Sequence, residues 1–186
     1  MKQIKRVILI IKNICGLIIN TLKNLYYYCT MRHKECEVKN IYLLQDTEAG
    51  YNRLDIVVRY LAIEEYYGKN SIGFQLYRKM QGKRIDSGYM NESEKKFRKL
   101  ILSWEVNGYD KKSEISLDSR LSLMDGSHRM SLALYYGIEK ITCKIYKKRT
   151  NYQYRVEWFE KNGFSDEEIK VILAKEKEIR ERLTGK

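Results

Sequence analysis

Proline is absent from the 186 residues, histidine occurs only twice, and the four cysteines form no Cys-x-x-Cys pair. Cysteines without such a pair predict reduced thiols of a cytosolic protein rather than a zinc site or a disulfide framework. Hydrophobic residues make up 44% and charged residues 32% of the chain, which excludes a disordered protein. The length predicts one domain with room for an extension.

Acidic residues are missing from the first 34 positions, and this changes the meaning of the net charge of +12. Residues 1–34 carry seven basic side chains, whereas the remaining 152 residues carry 29 basic and 24 acidic ones. The excess positive charge is therefore concentrated at the N-terminus. A main domain that is only mildly basic, followed by a terminal helix with mixed charges, makes DNA an unfavoured partner.

The N-terminal segment also lacks a long uncharged run, because Lys12 and Lys23 limit the longest one to residues 13–22. A membrane-spanning helix needs about 20 consecutive apolar residues. No small-residue cleavage site follows the apolar stretch, so a cleaved signal peptide is not indicated.

At about 100° per residue, the same segment separates into two helix faces. The polar face holds Lys2, Lys5, Arg6, Lys12, Asn13, Gly16, Asn20, Lys23 and Asn24, and the apolar face holds Ile4, Val7, Ile8, Ile11, Ile14, Cys15, Ile18, Leu22, Leu25 and Cys29, with Leu9 and Tyr27 as exceptions. A basic amphipathic helix at the surface of an anionic membrane fits this pattern best. A helix packed on the domain or on a second subunit, and a short or tilted anchor, stay open.

Periodicity and turn residues divide the rest of the chain into elements of both kinds. Residues 35–40 are expected to form a linker, 40–46 a strand, 53–68 a helix and 91–108 another helix with Asn91 as its N-cap, while 69–91 are ambiguous. A hairpin over 115–123, a helix from Ser127 to Gly137, a strand over 138–148 and two terminal helices follow, the last with a capping box of Ser165 and Glu168.

These elements predict an α+β fold in three parts. The parts are a basic amphipathic helical segment (1–34), a domain with a small mixed sheet (35–149) and a C-terminal helical pair (150–186).

The motif Asp125-Gly126-Ser127-His128-Arg129 lies between the hairpin and the following helix. Main-chain N–H groups at a helix N-terminus have no internal partner, and the helix dipole adds positive charge there. Gly126 allows close approach to the backbone, Ser127 can cap the helix or bind an anion, and Arg129 can bind phosphate oxygens in pairs. The motif therefore predicts an anion site, and phosphate is the anion that it favours.

Asp125 does not suit a site for anions alone. A carboxylate beside phosphates indicates a divalent cation or a hydroxyl group that must be oriented. The alternative is an ordinary helix start, because Asp-Gly is a common turn and Asp or Ser a common cap.

Residues 115–145, "ISLDSRLSLMDGSHRMSLALYYGIEKITCKI", resemble the ParB/sulfiredoxin-like superfamily, and the preceding "FRKLILSWEVNGYD" resembles the helix that leads into that family's hairpin. The resemblance extends over residues 92–146 and more loosely over 40–91. Within the superfamily, sulfiredoxins carry cysteine where this chain has Ser127, and ParB proteins carry an arginine pair and continue into a DNA-binding module. The free serine kinases carry the D-G-x-H-R form found here.

The resemblance implies that Gly126, Ser127, His128 and Arg129 bind nucleotide phosphates and that Asp125 binds a metal. It also implies catalytic roles for Asp125 and His128, and for an upstream base. Glu48 lies nearest to the position of that base, and Asp46 and Asp55 are its rivals.

The expected function is that of a phosphotransferase that uses ATP or ADP with Mg²⁺ on a small hydroxyl compound. A membrane-seeking N-terminus would suit a surface-polysaccharide or lipid-linked pathway and a cytoplasmic protein at the inner face of the cell membrane. A ParB-like module that binds CTP or DNA without phosphoryl transfer, and a membrane-tethered scaffold, are the alternatives. A homo-oligomer stays open.

Overall fold

The computed structural model describes residues 2–45, 53–84, 90–150 and 153–185. In this part of the chain the four strands are β1 (Arg32–Glu37), β2 (Ile115–Leu117), β3 (Leu123–Asp125) and β4 (Lys140–Ile145). The helices are α1 (Lys2–Cys29), α2 (Val38–Leu43), α3 (Leu54–Tyr66), α4 (Gly73–Arg84), α5 (Met90–Asn107), α6 (Ser127–Tyr135), α7 (Val156–Lys161) and α8 (Asp166–Thr184). The fold is α+β, as the sequence predicts.

The strands form one mixed sheet in the order β1-β4-β2-β3. β1 and β4 are antiparallel, β2 and β4 are parallel, and β3 returns antiparallel to β2 as the second strand of the predicted hairpin. The buried carboxylate of Asp118 fixes the turn of this hairpin, because it accepts hydrogen bonds from the backbone N–H groups of Arg120 and Ser122 at 2.8 and 2.9 Å. A second oxygen of Asp118 accepts the N–H of Thr150 at 2.9 Å and so holds the chain beyond β4.

α3 is the central helix, and it is buried on nearly every side between α4, α6 and α8. Eleven of its 13 residues are buried, which places this helix in the protein core. α4 begins directly against it: a Cβ on Gly73 would lie 2.1 Å from the backbone oxygen of Leu61. Only glycine permits this approach of the two helices.

Several predicted elements are confirmed: α1, α3, α5, both hairpin strands, α6, β4 and the two terminal helices. The predicted capping box is also present, since the Ser165 hydroxyl accepts from the N–H of Glu168 and the Glu168 carboxylate accepts from the N–H of Ser165.

Three expectations for the first half of the domain are wrong. The expected linker over 35–40 is the end of β1 and the start of α2, and the expected strand over 40–46 is mostly α2. β1 is an edge strand with mostly exposed side chains, so its sequence shows no alternation of apolar and polar residues. Asn91 lies inside α5 rather than at its N-cap, because the helix begins at Met90.

α1 presents its described apolar side chains to solvent rather than to the core. In the part of the chain that the structure describes, no helix combines the length and the apolar character needed to cross a membrane.

Candidate functional site

The turn between β3 and α6 is shaped by Gly126, which has a φ of 94°. A Cβ at this position would lie 2.6 Å from the Cγ2 atom of Ile115 on β2. Glycine is therefore required here by the left-handed backbone and by packing against the neighbouring strand. These constraints fix the direction of the three side chains beside it: Asp125, Ser127 and His128.

A pocket of about 490 Å³ opens at this turn. The turn contributes Asp125, Ser127 and His128 to its lining, and α3, α4 and α7 close the other sides. Pockets of this size bind small molecules and cofactors. A smaller cavity of about 330 Å³ near the C-terminal ends of α6 and α8 has a mainly apolar lining and none of the turn residues.

Behind the pocket, the fully buried carboxylate of Asp55 is surrounded by three arginines. Arg53 Nε lies 2.8 Å from Oδ1, and Arg59 Nη1 lies 3.0 Å from Oδ2. Arg84 Nη1 is more distant, at 3.8 Å from Oδ2. One negative charge thus holds three guanidinium groups at the wall of the pocket.

The pKa values of this cluster follow from burial and charge. Burial would raise the pKa of Asp55, but Arg53, Arg59 and Arg84 together outweigh it and hold the pKa well below its ordinary value. Burial lowers the pKa of Arg59 to about 10, although Asp55 opposes this change. At neutral pH, both groups are therefore charged.

Arg53 connects this cluster to the turn. Its guanidinium group donates to the backbone oxygen of Leu123 on β3 and, through Nη2 at 2.9 Å, to the hydroxyl oxygen of Ser127. The Ser127 side chain therefore does not cap α6, and it lies beside the arginines instead. The main-chain N–H of Leu54 donates to the oxygen of Tyr154 at 3.1 Å, which brings the segment before α7 to the same place.

The pocket has an excess of positive charge. Among the described residues, four basic side chains line it (Arg53, Arg59, Lys83 and Arg84), against the single carboxylate of Asp125. Within the same part of the chain, the buried Nε of Arg59 has no hydrogen-bond acceptor. An unpaired buried donor destabilises the folded protein, and an anionic ligand that accepts its hydrogen bond would offset this loss. The charge and the free donor together indicate an anion.

His128 occupies the inner side of the pocket between aromatic rings. Its Nε2 lies 2.9 Å from the Tyr77 hydroxyl oxygen, and its ring centroid lies 4.4 Å from that of Phe97. Burial lowers the pKa of His128 well below its ordinary value of 6.5, and the charges of Arg59 and Arg84 lower it further. His128 is therefore neutral at physiological pH. It can donate or accept a hydrogen bond without adding charge to the pocket.

We predict a pH dependence of stability from this histidine. Below the ordinary pKa of 6.5, the unfolded chain binds a proton that the folded chain does not bind. The free energy of unfolding should therefore reach its full value above that pH. At lower pH it should decrease by up to about 1.4 kcal/mol per pH unit, until the folded-state pKa is reached. Urea unfolding at a series of pH values checks this.

The matched variant is His128→Gln, which keeps a polar group opposite Tyr77 but does not titrate. Its stability curve should be flatter than that of the parent below about pH 6.5. Equal slopes for the parent and His128→Gln would show that His128 titrates normally in the folded protein.

The structure brings together some of the predicted site residues and separates others. Asp125, Ser127 and His128 line the pocket, and the Asp125 side chain is exposed and, within the described chain, unpaired. Arg129 does not belong to the described lining, and it donates to the backbone oxygen of Glu114. Gly126 is buried and shapes the turn.

The predicted base, Glu48, and its rival Asp46 lie outside the described residues. The other rival, Asp55, is at the site but ion-paired with arginines, which makes it a poor proton acceptor.

Sequence reasoning missed the arginines and the aromatic wall of Tyr154 and Trp158. One signal for them was present: Asp55 and Arg59 interrupt the apolar helix "RLDIVVRYLAI" with opposite charges four residues apart. Charged residues are almost never fully buried unless they are paired. That spacing could have identified a buried polar cluster, although not its position beside the turn.

The described residues include no group of three His, Cys, Asp or Glu side chains placed to hold a metal. Mg²⁺ is commonly bound by one or two carboxylates together with substrate phosphates and water. Asp125 fits that mode, since it is the described lining carboxylate and its side chain is exposed.

Comparison with known proteins identifies no relative. The chain matches no protein-family model, no curated protein and no solved structure at the significance required.

Proposed function

We propose that the pocket binds a nucleotide by its phosphates and that the protein is a phosphotransferase acting on a small hydroxyl compound. The observation that carries the proposal is the arginine cluster around Asp55, with the unpaired Arg59 Nε, at the start of α6. Guanidinium groups and the N-terminus of a helix both favour phosphate oxygens. Held by a buried carboxylate, these donors are positioned before any ligand binds.

The proposed roles follow from position. Arg59 and Arg84 bind phosphate oxygens, and Arg53 connects the arginine cluster to the turn. Asp125 holds Mg²⁺ with the phosphates or orients the acceptor hydroxyl. Mg²⁺, when bound, would neutralise the charge that develops on the transferred phosphoryl group.

The order of elements supports a ParB/sulfiredoxin-like fold for the domain. The β2–β3 hairpin leads into the D-G-x-H-R turn, α6 follows, and β4 returns parallel to β2. In that fold family the turn carries the phosphate site, which agrees with the position of the pocket.

An aromatic wall favours a nucleotide over inorganic phosphate. Trp158 on α7 also lines the pocket and is partly exposed. Arg84 covers the neighbouring Tyr154 ring, with its guanidinium carbon 4.5 Å from the ring centroid, so Trp158 is the ring available to a base. Stacking of a base on an aromatic ring tolerates different bases, and ATP, ADP and CTP remain candidates.

We expect Arg84→Ala to weaken nucleotide binding about tenfold to a hundredfold, because a hydrogen bond to a charged group contributes about 1.5–3 kcal/mol. Titration calorimetry with ATP, ADP and CTP, with and without Mg²⁺, measures this. Arg180→Ala is the matched control, since Arg180 has a similar exposure and an ion pair with Glu176 but does not line the pocket.

Arg129→Ala, measured in parallel, tests the residue that the sequence motif favours. If Arg129→Ala loses nucleotide affinity and Arg84→Ala does not, the phosphates bind outside the described pocket. A parent chain that binds none of the three nucleotides would reject the proposal.

A nucleotide-binding module without phosphoryl transfer is the second candidate. It is favoured by one observation: the carboxylate nearest the arginines, Asp55, is already ion-paired, so catalysis would rest on Asp125 among the described lining residues. CTP binding without consumption of the nucleotide would support this candidate.

A further inference from the structure

α1 carries an uncovered apolar surface. Among the described side chains of this helix, eight large apolar ones are between 53% and 74% exposed: Ile10, Ile14, Leu17, Ile18, Ile19, Leu22, Leu25 and Tyr26. Single exposed apolar residues are ordinary, but a continuous row of this length marks an interaction surface.

This surface has a defined shape. At about 100° per residue, the eight side chains cover roughly half of the helix circumference. Lys12 and Lys23 lie along one edge of this surface, beside Ile19, close to one line along the helix and about 16 Å apart. The charged groups therefore run parallel to the apolar surface along the helix.

The other described parts of the chain do not cover this surface. Among the α1 side chains that the structure describes, the hydrogen bonds of Thr21 and the ring contact between Tyr26 and Tyr27 stay within the helix. None of the described α1 side chains belongs to the core. Within the described residues the surface stays in contact with water, and it is open to a partner.

Charge identifies the partner. The helix has five basic residues and no acidic one: Lys2, Lys5, Arg6, Lys12 and Lys23. A second copy of α1 would bring the same positive charge to the contact, and like charges oppose such pairing. An anionic lipid surface offers acyl chains for the apolar side and negative headgroups for the lysines.

We propose that α1 lies flat in the interface of an anionic membrane, with its apolar surface toward the acyl chains and Lys12 and Lys23 at the headgroups. This inference does not depend on the proposed phosphotransferase activity. It makes α1 a reversible anchor. Binding needs both the burial of the apolar surface and the attraction of the lysines to anionic headgroups, and salt screens the second of these.

The test is co-sedimentation of the full chain with phosphatidylcholine vesicles that contain about a quarter phosphatidylserine, a composition typical of a negative leaflet. Binding should weaken with pure phosphatidylcholine and at high salt. Ile18→Lys/Leu22→Lys should lower the affinity at least about tenfold, although it adds two positive charges, because it places them in the apolar surface.

The matched control is Asn20→Lys/Asn24→Lys, which adds the same charges to the polar face. It should raise the affinity, by about fivefold for each lysine near the surface. Thermal midpoints of both variants should equal that of the parent, since α1 lies outside the core.

Three outcomes would overturn the proposal. One is a parent chain that binds neither kind of vesicle. Another is sedimentation velocity that shows an oligomer which Ile18→Lys/Leu22→Lys dissociates while vesicles leave it intact. The third is vesicle association that survives both high salt and alkaline extraction, which would indicate an inserted anchor.

Discussion

Asp55→Asn is expected to lower the free energy of unfolding by about 3–5 kcal/mol, the cost of removing one partner from a buried ion pair. The carboxylate of Asp55 is fully buried, and it compensates Arg53 and Arg59, each only 2% exposed. Asparagine keeps the size of the side chain but leaves these guanidinium groups buried without a counter-charge. Urea unfolding followed by circular dichroism measures the loss.

Glu92→Gln provides the matched control. Glu92 also has an ion pair four residues away, with Lys96, but its side chain is 54% exposed. Exposed pairs contribute about 0–1 kcal/mol, so this variant should resemble the parent. Comparable stability of the two variants would show that the arginine cluster is accessible to water.

The second large effect is expected in the chemistry, from Asp125→Asn. If the protein is a phosphotransferase, the turnover rate should fall about a hundredfold or more, because a positioned acid or base contributes about that much. Nucleotide affinity measured without Mg²⁺ should stay within about threefold, since Asp125 does not belong to the arginine cluster. Turnover with candidate acceptors and calorimetry on the same samples measure the two quantities.

Asp110→Asn, at an exposed aspartate that does not line the pocket, is the control for a change of charge. Equal losses of rate and affinity in Asp125→Asn would assign Asp125 to ground-state binding. A parent that binds nucleotide but never transfers phosphate would favour the binding module.

The second half of the domain was predictable because its signals are local. Ile115 and Leu117 alternate with polar residues, Gly126 and Gly137 mark the two ends of α6, and the turn residues are consecutive in the sequence. β1 and α2 could not be recognised in this way. The side chains of β1 face water, and the six-residue helix α2 contains a short apolar run, residues 41–43, that is equally typical of a strand.

The site was predictable only where it is contiguous. The D-G-S-H-R turn could be read directly, but its pairing with Arg59 and Arg84 depends on the packing of α3 and α4. Sequence spacing contains no information about which helix end meets a given turn. The different direction of Arg129 has the same origin, since its acceptor is a backbone oxygen 15 residues away.

The pocket is assembled from four separate stretches of chain, around Arg53, Arg84, His128 and Trp158. In vectorial synthesis on the ribosome, Asp55 emerges together with Arg53 and Arg59, so its charge is compensated within one nascent helix. The bond from Leu54 to Tyr154 must instead wait for about 100 further residues, and closing so long a loop carries an entropic cost. The pocket would therefore be complete only after α7 has emerged, whereas the buried carboxylate can enter the core much earlier.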